Sequence, residues 1–78
     1  EQKTDISIYP NPASDCLYLQ NVNPWQLVRI LDYSGKIVKE TRIDGQGKLT
    51  IQDLSNGVYF LQVQSETGSS VIRFIKSE

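Results

Sequence analysis

The sequence contains no histidine and a single cysteine, Cys16. Without histidine, a serine or cysteine nucleophile lacks the base that usually activates it in hydrolases. A structural zinc site needs about four Cys, His or carboxylate ligands, and one cysteine cannot form an internal disulfide. The composition therefore argues against hydrolytic, zinc-binding and disulfide-stabilised proteins. Cys16 lies in an apolar, strand-like run, where we predict a small buried hydrophobe.

An excess of one charge is also missing, because 8 Lys and Arg residues stand against 9 Asp and Glu residues, spread without blocks. Nucleic-acid binding needs a basic stripe, and charge-held membrane binding needs a basic patch, so neither is expected. No run approaches the ~18–20 apolar residues of a membrane span, and the polar first residues carry no signal peptide. We therefore expect any export signal to lie in a longer parent chain.

Other catalytic and metal-binding patterns are absent as well. A glycosidase needs two carboxylates across a cleft, for which a domain of 78 residues has little room. The run Asp44-Gly45-Gln46-Gly47 contains one carboxylate, whereas calcium takes about six to eight oxygen ligands, so we interpret the run as a flexible turn. The sequence thus predicts no enzyme activity, no metal and no cofactor.

What the sequence does contain is a series of short alternating segments rich in Val, Ile, Thr and Tyr, with almost no helical periodicity. Turn residues separate them, which predicts seven strands. Their ranges are residues 6–9, 16–20, 26–32, 36–41, 48–52, 58–64 and 70–76. This pattern predicts a single all-β domain, a small seven-stranded antiparallel β-sandwich of Ig-like type. A five-stranded barrel with extra edge strands is the structural alternative.

Several residues have predicted structural roles at the strand ends. Two prolines around an asparagine end the first strand, because proline fixes φ and removes an amide donor. An aspartate can accept hydrogen bonds from turn amides, and glycines can take the positive φ that tight turns require. A tyrosine in the sixth strand falls on the core face. These residues are Pro10, Asn11, Pro12, Asp32, Gly35, Gly57 and Tyr59.

The aromatic residues allow two interpretations. Trp25, Tyr18, Tyr33 and Tyr59 are able to form a sugar-stacking platform, or to pack in the core and at its rim. Packing is the favoured interpretation, since Tyr59 falls on the core face and Trp25 stands at a strand entrance. The platform leads to an alternative function, a retained carbohydrate-binding or adhesive β-sandwich.

The order of the signals is more specific than any one of them. They are Tyr9-Pro10-Asn11-Pro12-Ala13, then Leu17 and Leu19, then Val28, Ile30, Asp32, Gly35, Lys36 and Val38, then Leu54-Ser55-Asn56-Gly57-Val58-Tyr59-Phe60-Leu61 and Val63, then Arg73-Phe74-Ile75-Lys76. In this order they closely resemble the C-terminal sorting domain, type A, of proteins exported by the type IX, or Por, secretion system of Bacteroidota. The resemblance covers residues 6–76.

The resemblance implies a non-catalytic sorting signal attached to a cargo protein. The cargo enters the periplasm by a separate signal peptide, and the sorting domain directs it through the outer-membrane translocon to the cell surface or the extracellular space. A sortase-like cysteine peptidase then usually removes the domain. Accordingly, residues 1–5 are predicted to be a linker remnant near the cleavage region, and residues 6–78 to be the sorting domain.

The resemblance also implies that the extreme C-terminal residues are recognised by the secretion machinery. At the matching positions, the predicted translocon-recognition residues are Val71, Arg73, Phe74, Ile75 and Lys76. A last strand at a sheet edge also allows strand addition, including an edge-strand homodimer. Besides the carbohydrate-binding module, a structural spacer between catalytic domains remains an alternative, and it predicts that the parent chain continues after Glu78.

Overall fold

The computed structural model describes residues 6–65 and 68–78, which form seven strands and, in this part of the chain, no helix. The strands are β1 (Ser7–Tyr9), β2 (Cys16–Gln20), β3 (Leu27–Asp32), β4 (Ile37–Arg42), β5 (Lys48–Thr50), β6 (Gly57–Ser65) and β7 (Gly68–Lys76). One antiparallel sheet has the order β1-β2-β5 and the other the order β4-β3-β6-β7. Two sheets, rather than one closed sheet, confirm the predicted sandwich over the barrel.

Alternate residues of the strands form the core between the sheets. In β2, β3 and β6 every second side chain is buried, as alternation predicts for a strand with one buried face. The buried hydrophobic residues are Ala13, Leu17, Leu19, Val28, Ile30, Ile43, Leu49, Ile51, Tyr59, Leu61, Val63 and Phe74. Leu54 packs against this cluster from the β5–β6 connection.

The strand ends differ from the prediction by two residues in two places and by one residue in β1, β3, β4 and β6. The fifth strand stops at Thr50 instead of residue 52, yet Ile51 is fully buried and its amide donates to Asp15 O at 2.8 Å. The seventh strand begins two residues early, because β6 and β7 stay paired as far as Ser65 and Gly68. Cys16 is half-buried, so the prediction of a buried thiol was wrong; Leu17 and Leu19 take the inner face of β2.

Two turns of the fold have the same construction. In residues 32–36, Asp32 Oδ1 accepts hydrogen bonds from the amides of Ser34 and Lys36 at 2.9 and 3.0 Å. In residues 44–48, Asp44 Oδ1 accepts from the amides two and four residues further on, at 2.8 and 2.9 Å. Each turn has a glycine with positive φ at its fourth position, at +91° and +85°. Residues 44–47 are therefore not the flexible turn predicted, but a repeat of the Asp-x-x-Gly-Lys turn.

These two aspartates make stability depend on pH. Hydrogen bonds from Ser34 and Lys36 lower the pKa of Asp32, and those from the amides of residues 48 and 46 lower the pKa of Asp44. A carboxyl with a lowered pKa in the folded state stabilises the fold above its unfolded pKa, and this contribution is lost as the pH falls through the folded value.

We therefore expect the melting temperature to be flat above about pH 5 and to fall below about pH 4. The double variant Asp32→Asn/Asp44→Asn keeps an oxygen acceptor in each turn but no titrating carboxyl, so its acid limb should be shallower. Melting curves followed by circular dichroism between neutral and acid pH measure this. Identical acid limbs for the two proteins would contradict the assignment.

Candidate functional site

The predicted recognition residues lie on strand β7. Their side chains point alternately toward the core and toward the surface. Phe74 and Lys76 are 0% and 1% exposed, whereas Val71 is 59% exposed and Arg73 is also exposed. Phe74 stacks on Tyr59 of β6, with ring centroids 5.7 Å apart. In this folded state, therefore, a partner can contact the side chains of Val71 and Arg73 but not those of Phe74 and Lys76.

The buried cation Lys76 has partners at both sides of its ammonium group. Its Nζ donates to the backbone oxygen of Leu54 at 3.1 Å and to Glu78 Oε2 at 3.1 Å. A buried ammonium is costly unless it is paired and hydrogen-bonded, and both conditions are met here. The amide of Glu78 in turn donates to Asn56 Oδ1 at 3.2 Å. Lys76 thus fastens the end of the chain to the loop before β6.

The segment after β1 covers the outer edge of β7. Asn11 Oδ1 accepts from the Ile75 amide at 3.0 Å, and Asn11 Nδ2 donates to Arg73 O at 3.4 Å. Ala13 continues the contact, since its amide donates to Ile75 O and its oxygen accepts from the Ser77 amide, both at 2.8 Å. The Tyr9–Pro10 and Asn11–Pro12 peptide bonds are both cis. The four hydrogen bonds of Asn11 and Ala13 thus hold the segment after β1 alongside the end of β7.

The outward side chains of β7 belong to a larger surface. We call it the tail face, and its residues are Leu31, Ile37, Phe60, Val71, Arg73 and Ile75. Cross-strand pairing places Ile37 and Phe60 beside Leu31, and Arg73 beside Phe60. Ile37 is 53% exposed, and the guanidinium of Arg73 has no partner within residues 6–65 and 68–78. The tail face is thus mostly apolar, with one cation, Arg73, that has no ionic partner among the described residues.

Two shallow cavities lie beside the β3–β4 hairpin, and one of them borders the tail face. They measure about 330 and 310 Å³ and lie on either side of Tyr33, whose side chain is 83% exposed at the tip of the β3–β4 hairpin. The second cavity is lined by Leu31, Phe60 and Val71, so it is continuous with the tail face. A binding partner could therefore pack against the exposed Tyr33 ring and insert side chains into the two cavities beside it.

The motif residues support the scaffold of this surface. Asp32 and Gly35 form the hairpin that carries Tyr33. Gly57 begins β6 with φ +156°, and Tyr59 donates from its hydroxyl to Ser55 O at 2.7 Å, which fixes the loop on which Lys76 is anchored. The edge-covering role of Asn11 was not predicted; the only signal for it was an amide side chain between two prolines.

Two features that would indicate catalytic chemistry are a metal-binding group and an activated side chain. No group of three or more His, Cys, Asp or Glu that could hold a metal occurs among residues 6–65 and 68–78. The hydrogen bond with Cys16 raises the pKa of Tyr18, which keeps the phenol neutral rather than activating it. The part of the chain that the structure describes also contains no helix of the length and apolarity needed to cross a bilayer.

These features define a small all-β domain. Its last strand contributes alternate side chains to the core and to the exposed tail face. The family model for the secretion system C-terminal sorting domain matches residues 7–77. The chain therefore belongs to this family, a sorting signal of type IX secretion, as the motif order predicted. Membership implies a cargo in the parent chain, interaction with the secretion machinery, and export through the outer membrane to the cell surface or beyond. Domains of this kind are generally non-catalytic.

The fold also occurs in a solved structure. The chain is similar to PorZ, described as an essential bacterial surface component of the type-IX secretion system of human oral-microbiomic Porphyromonas gingivalis, with a TM-score of 0.70 and 21% identity. The match covers 94% of this chain and 11% of that chain, so this chain spans a small part of that protein's length. At this identity the similarity shows the fold alone. No curated protein matches the chain.

Proposed function

We propose that this domain is a non-catalytic sorting signal that an outer-membrane translocon recognises through the tail face. The supporting observation is the division of β7, whose inward side chains hold the strand while Val71 and Arg73 point outward beside an exposed apolar surface. Apolar contact with Val71 and Ile75 would supply affinity, and the exposed Arg73 would supply orientation toward an acidic group. Phe74 and Lys76 would act by holding the strand in place.

The proposal extends to the route of the cargo. The cargo crosses the periplasm before it meets the translocon, and a sortase-like cysteine peptidase then removes the sorting domain. The predicted linker, residues 1–5, lies outside the described residues, and we place the cleavage near it or upstream. A mass measurement on the secreted parent protein tests this step. The domain should be missing from the mature cargo, whereas retention would favour the alternative of a carbohydrate-binding or adhesive module.

Edge-to-edge association of two domains remains a prediction with a restricted geometry. The Asn11–Ala13 contacts occupy the edge of β7 from Arg73 to Ser77. On β7, a second copy or a translocon strand could therefore add only to the part of the edge nearer Gly68, unless this cover were displaced.

Deleting the C-terminal residues cannot distinguish a loss of translocon recognition from a loss of folding. Removal of residues 71–78 takes away most of the nine-residue pairing with β6, together with the buried Phe74 and Lys76. A chain of this size has only about 3–5 kcal/mol of stability to lose. Loss of export after such a deletion would follow from unfolding as well as from a lost contact.

Point substitutions on opposite faces of β7 separate the two causes. In a cell with a type IX system, a periplasm-targeted reporter fused to this domain should reach the surface. Val71→Asp and Arg73→Glu should each lower surface delivery about tenfold, the effect of losing about 1.4 kcal/mol of binding. Ser70→Asp is the matched control, since Ser70 is also exposed but its side chain points to the other face of the strand.

The result is interpretable only for folded variants. The three purified domains should melt within a few degrees of the parent, because exposed substitutions usually change stability by less than about 0.5 kcal/mol. If Val71→Asp and Arg73→Glu remain folded and deliver as much reporter as Ser70→Asp, the tail face is not the recognised surface.

A further inference from the structure

A cavity on the side of the sandwich away from β7 has a different chemistry from the tail face. It measures about 350 Å³ and opens where β4 of one sheet faces β5 of the other. Small-molecule sites generally have volumes of about 300–1,000 Å³. Its lining combines Trp25 and Leu49 with the polar residues Lys39, Thr41, Arg42, Asp44, Lys48 and Thr50. A cavity with so many polar groups suits a hydroxylated or charged ligand better than an apolar one.

Trp25 is held in place with much of its ring uncovered. Its backbone has a positive φ of 62°, and its carbonyl oxygen accepts a hydrogen bond from Arg42 Nη1 at 3.1 Å. The indole lies over Gly45, where an added Cβ would be 3.7–3.8 Å from the ring atoms. The residue is nevertheless 60% exposed. Packing at the rim, as predicted, thus leaves an aromatic surface available for stacking.

Cations exceed anions around this ring, although the whole chain carries a net charge of −1. Three cations and one carboxylate line the cavity. The carboxylate of Asp44 is engaged by the amides of its own turn, and Lys39 pairs with Asp53 at 3.0 Å. The ammonium of Lys48 has no partner in the described part of the chain. Arg42 and Lys48 are therefore the groups available to an incoming anion.

We infer that this cavity binds an acidic saccharide. The C–H face of one sugar ring would stack on the exposed indole of Trp25, as pyranose rings do on aromatic residues. The acidic group of the sugar would bind Arg42 and Lys48, and its hydroxyls would bond with Thr41 and Thr50. Two available cations are too few for a nucleic-acid strand, which needs a basic groove along its backbone. This site is independent of the tail face and of the proposed sorting function.

Titration of the 78-residue chain with tetragalacturonate, followed by amide chemical shifts, tests the site. We expect saturable shifts confined to residues 25 and 39–50, and none with a neutral maltotetraose at the same concentration. Raising the salt from about 0.05 M to about 0.5 M should weaken binding several-fold, because screening acts on exposed charges. Shifts that are absent, spread over the whole surface, or equal with the neutral sugar would overturn the inference.

Two variants and one control define the contacts. Trp25→Ala should weaken binding about tenfold, which corresponds to a stacking contribution of about 1.4 kcal/mol. Lys48→Gln removes a cation whose ammonium has no partner among the described residues, and it should weaken binding of the acidic sugar several-fold. Tyr33→Ala, the control, removes a more exposed aromatic far from the cavity and should change nothing. Unaltered binding in Lys48→Gln would exclude this site, even if Trp25→Ala proved unfolded.

The result of the saccharide titration can be distinguished from the result of the secretion assay. Trp25→Ala and Lys48→Gln should deliver the reporter normally if the tail face is the sorting signal, whether or not the cavity binds a sugar. Conversely, failure of Arg73→Glu to affect delivery would leave the titration result unchanged.

Discussion

Replacing Gly47 with alanine is expected to remove most of the domain's free energy of unfolding at room temperature. Gly47 has φ +85°, and a Cβ at this position would lie 2.6 Å from the backbone oxygen of Leu19. The left-handed backbone costs an alanine about 1–2 kcal/mol, and an overpacked contact typically costs a further 1–3 kcal/mol. The neighbouring backbone cannot easily move away, because the Leu19 amide donates to Gly47 O at 2.8 Å.

The expected loss of about 3 kcal/mol is close to the whole stability of a domain this small, about 3–5 kcal/mol. Urea unfolding measured by tryptophan fluorescence, with circular dichroism as a second probe, gives the free energy directly. Gly45→Ala, two residues earlier in the same turn, is the matched control. Its Cβ would meet only ordinary contacts with Trp25, so the free energy of unfolding should change by less than about 0.5 kcal/mol. Equal losses in the two variants would refute the close approach at Gly47.

Replacing Phe74 with alanine should cost about 3–5 kcal/mol, the usual range for a buried phenylalanine. Phe74 is fully buried and stacks on Tyr59 with an interplanar angle of 25°. Its removal would leave a large cavity where β7 meets β6. Thermal melting of the purified variant measures the effect, and we expect a largely unfolded protein at growth temperature.

Val71→Ala is the control within the same strand. Its side chain is 59% exposed, so the loss in stability should stay below about 1 kcal/mol. Comparing the two variants shows how the tail contributes to stability apart from recognition. If Phe74→Ala melted like Val71→Ala, the inward packing of β7 would be wrong. If Phe74→Ala is destabilised as expected, a secretion defect in this variant reports misfolding, whereas a defect in the folded variant Arg73→Glu reports a lost contact.

Strand positions and faces were predictable because they depend on local alternation. Leu17 and Leu19, or Val28 and Ile30, recur every second residue, and this period is sufficient to assign them to one face of a sheet. The Asp32 turn was recognisable from its aspartate and glycine. At Asp44 a flexible turn was predicted, but its likeness to the Asp32 turn was missed, although the same Asp-x-x-Gly-Lys pattern was available in the sequence.

The roles of the tail residues were less predictable. Alternation along a strand is enough to place Phe74 opposite Val71 and Arg73, but Lys76 was predicted to be a recognition residue like them. Lys76 is instead buried, because Leu54 O, 22 residues earlier, and Glu78 provide the two partners that its ammonium needs. Nothing local to Lys76 indicates that these partners converge.

Composition, alternation and motif order thus determined the all-β class, the seven strands and the sorting-domain family, since each depends on neighbouring residues or on their order. Only the tertiary structure decided which tail side chains are accessible, that Asn11 covers the edge of a strand 64 residues away, and that Trp25 stands open beside two cations. The physical reason is that burial and hydrogen-bond partners come from strands that are distant in sequence. Their register is set only when the two sheets pack together.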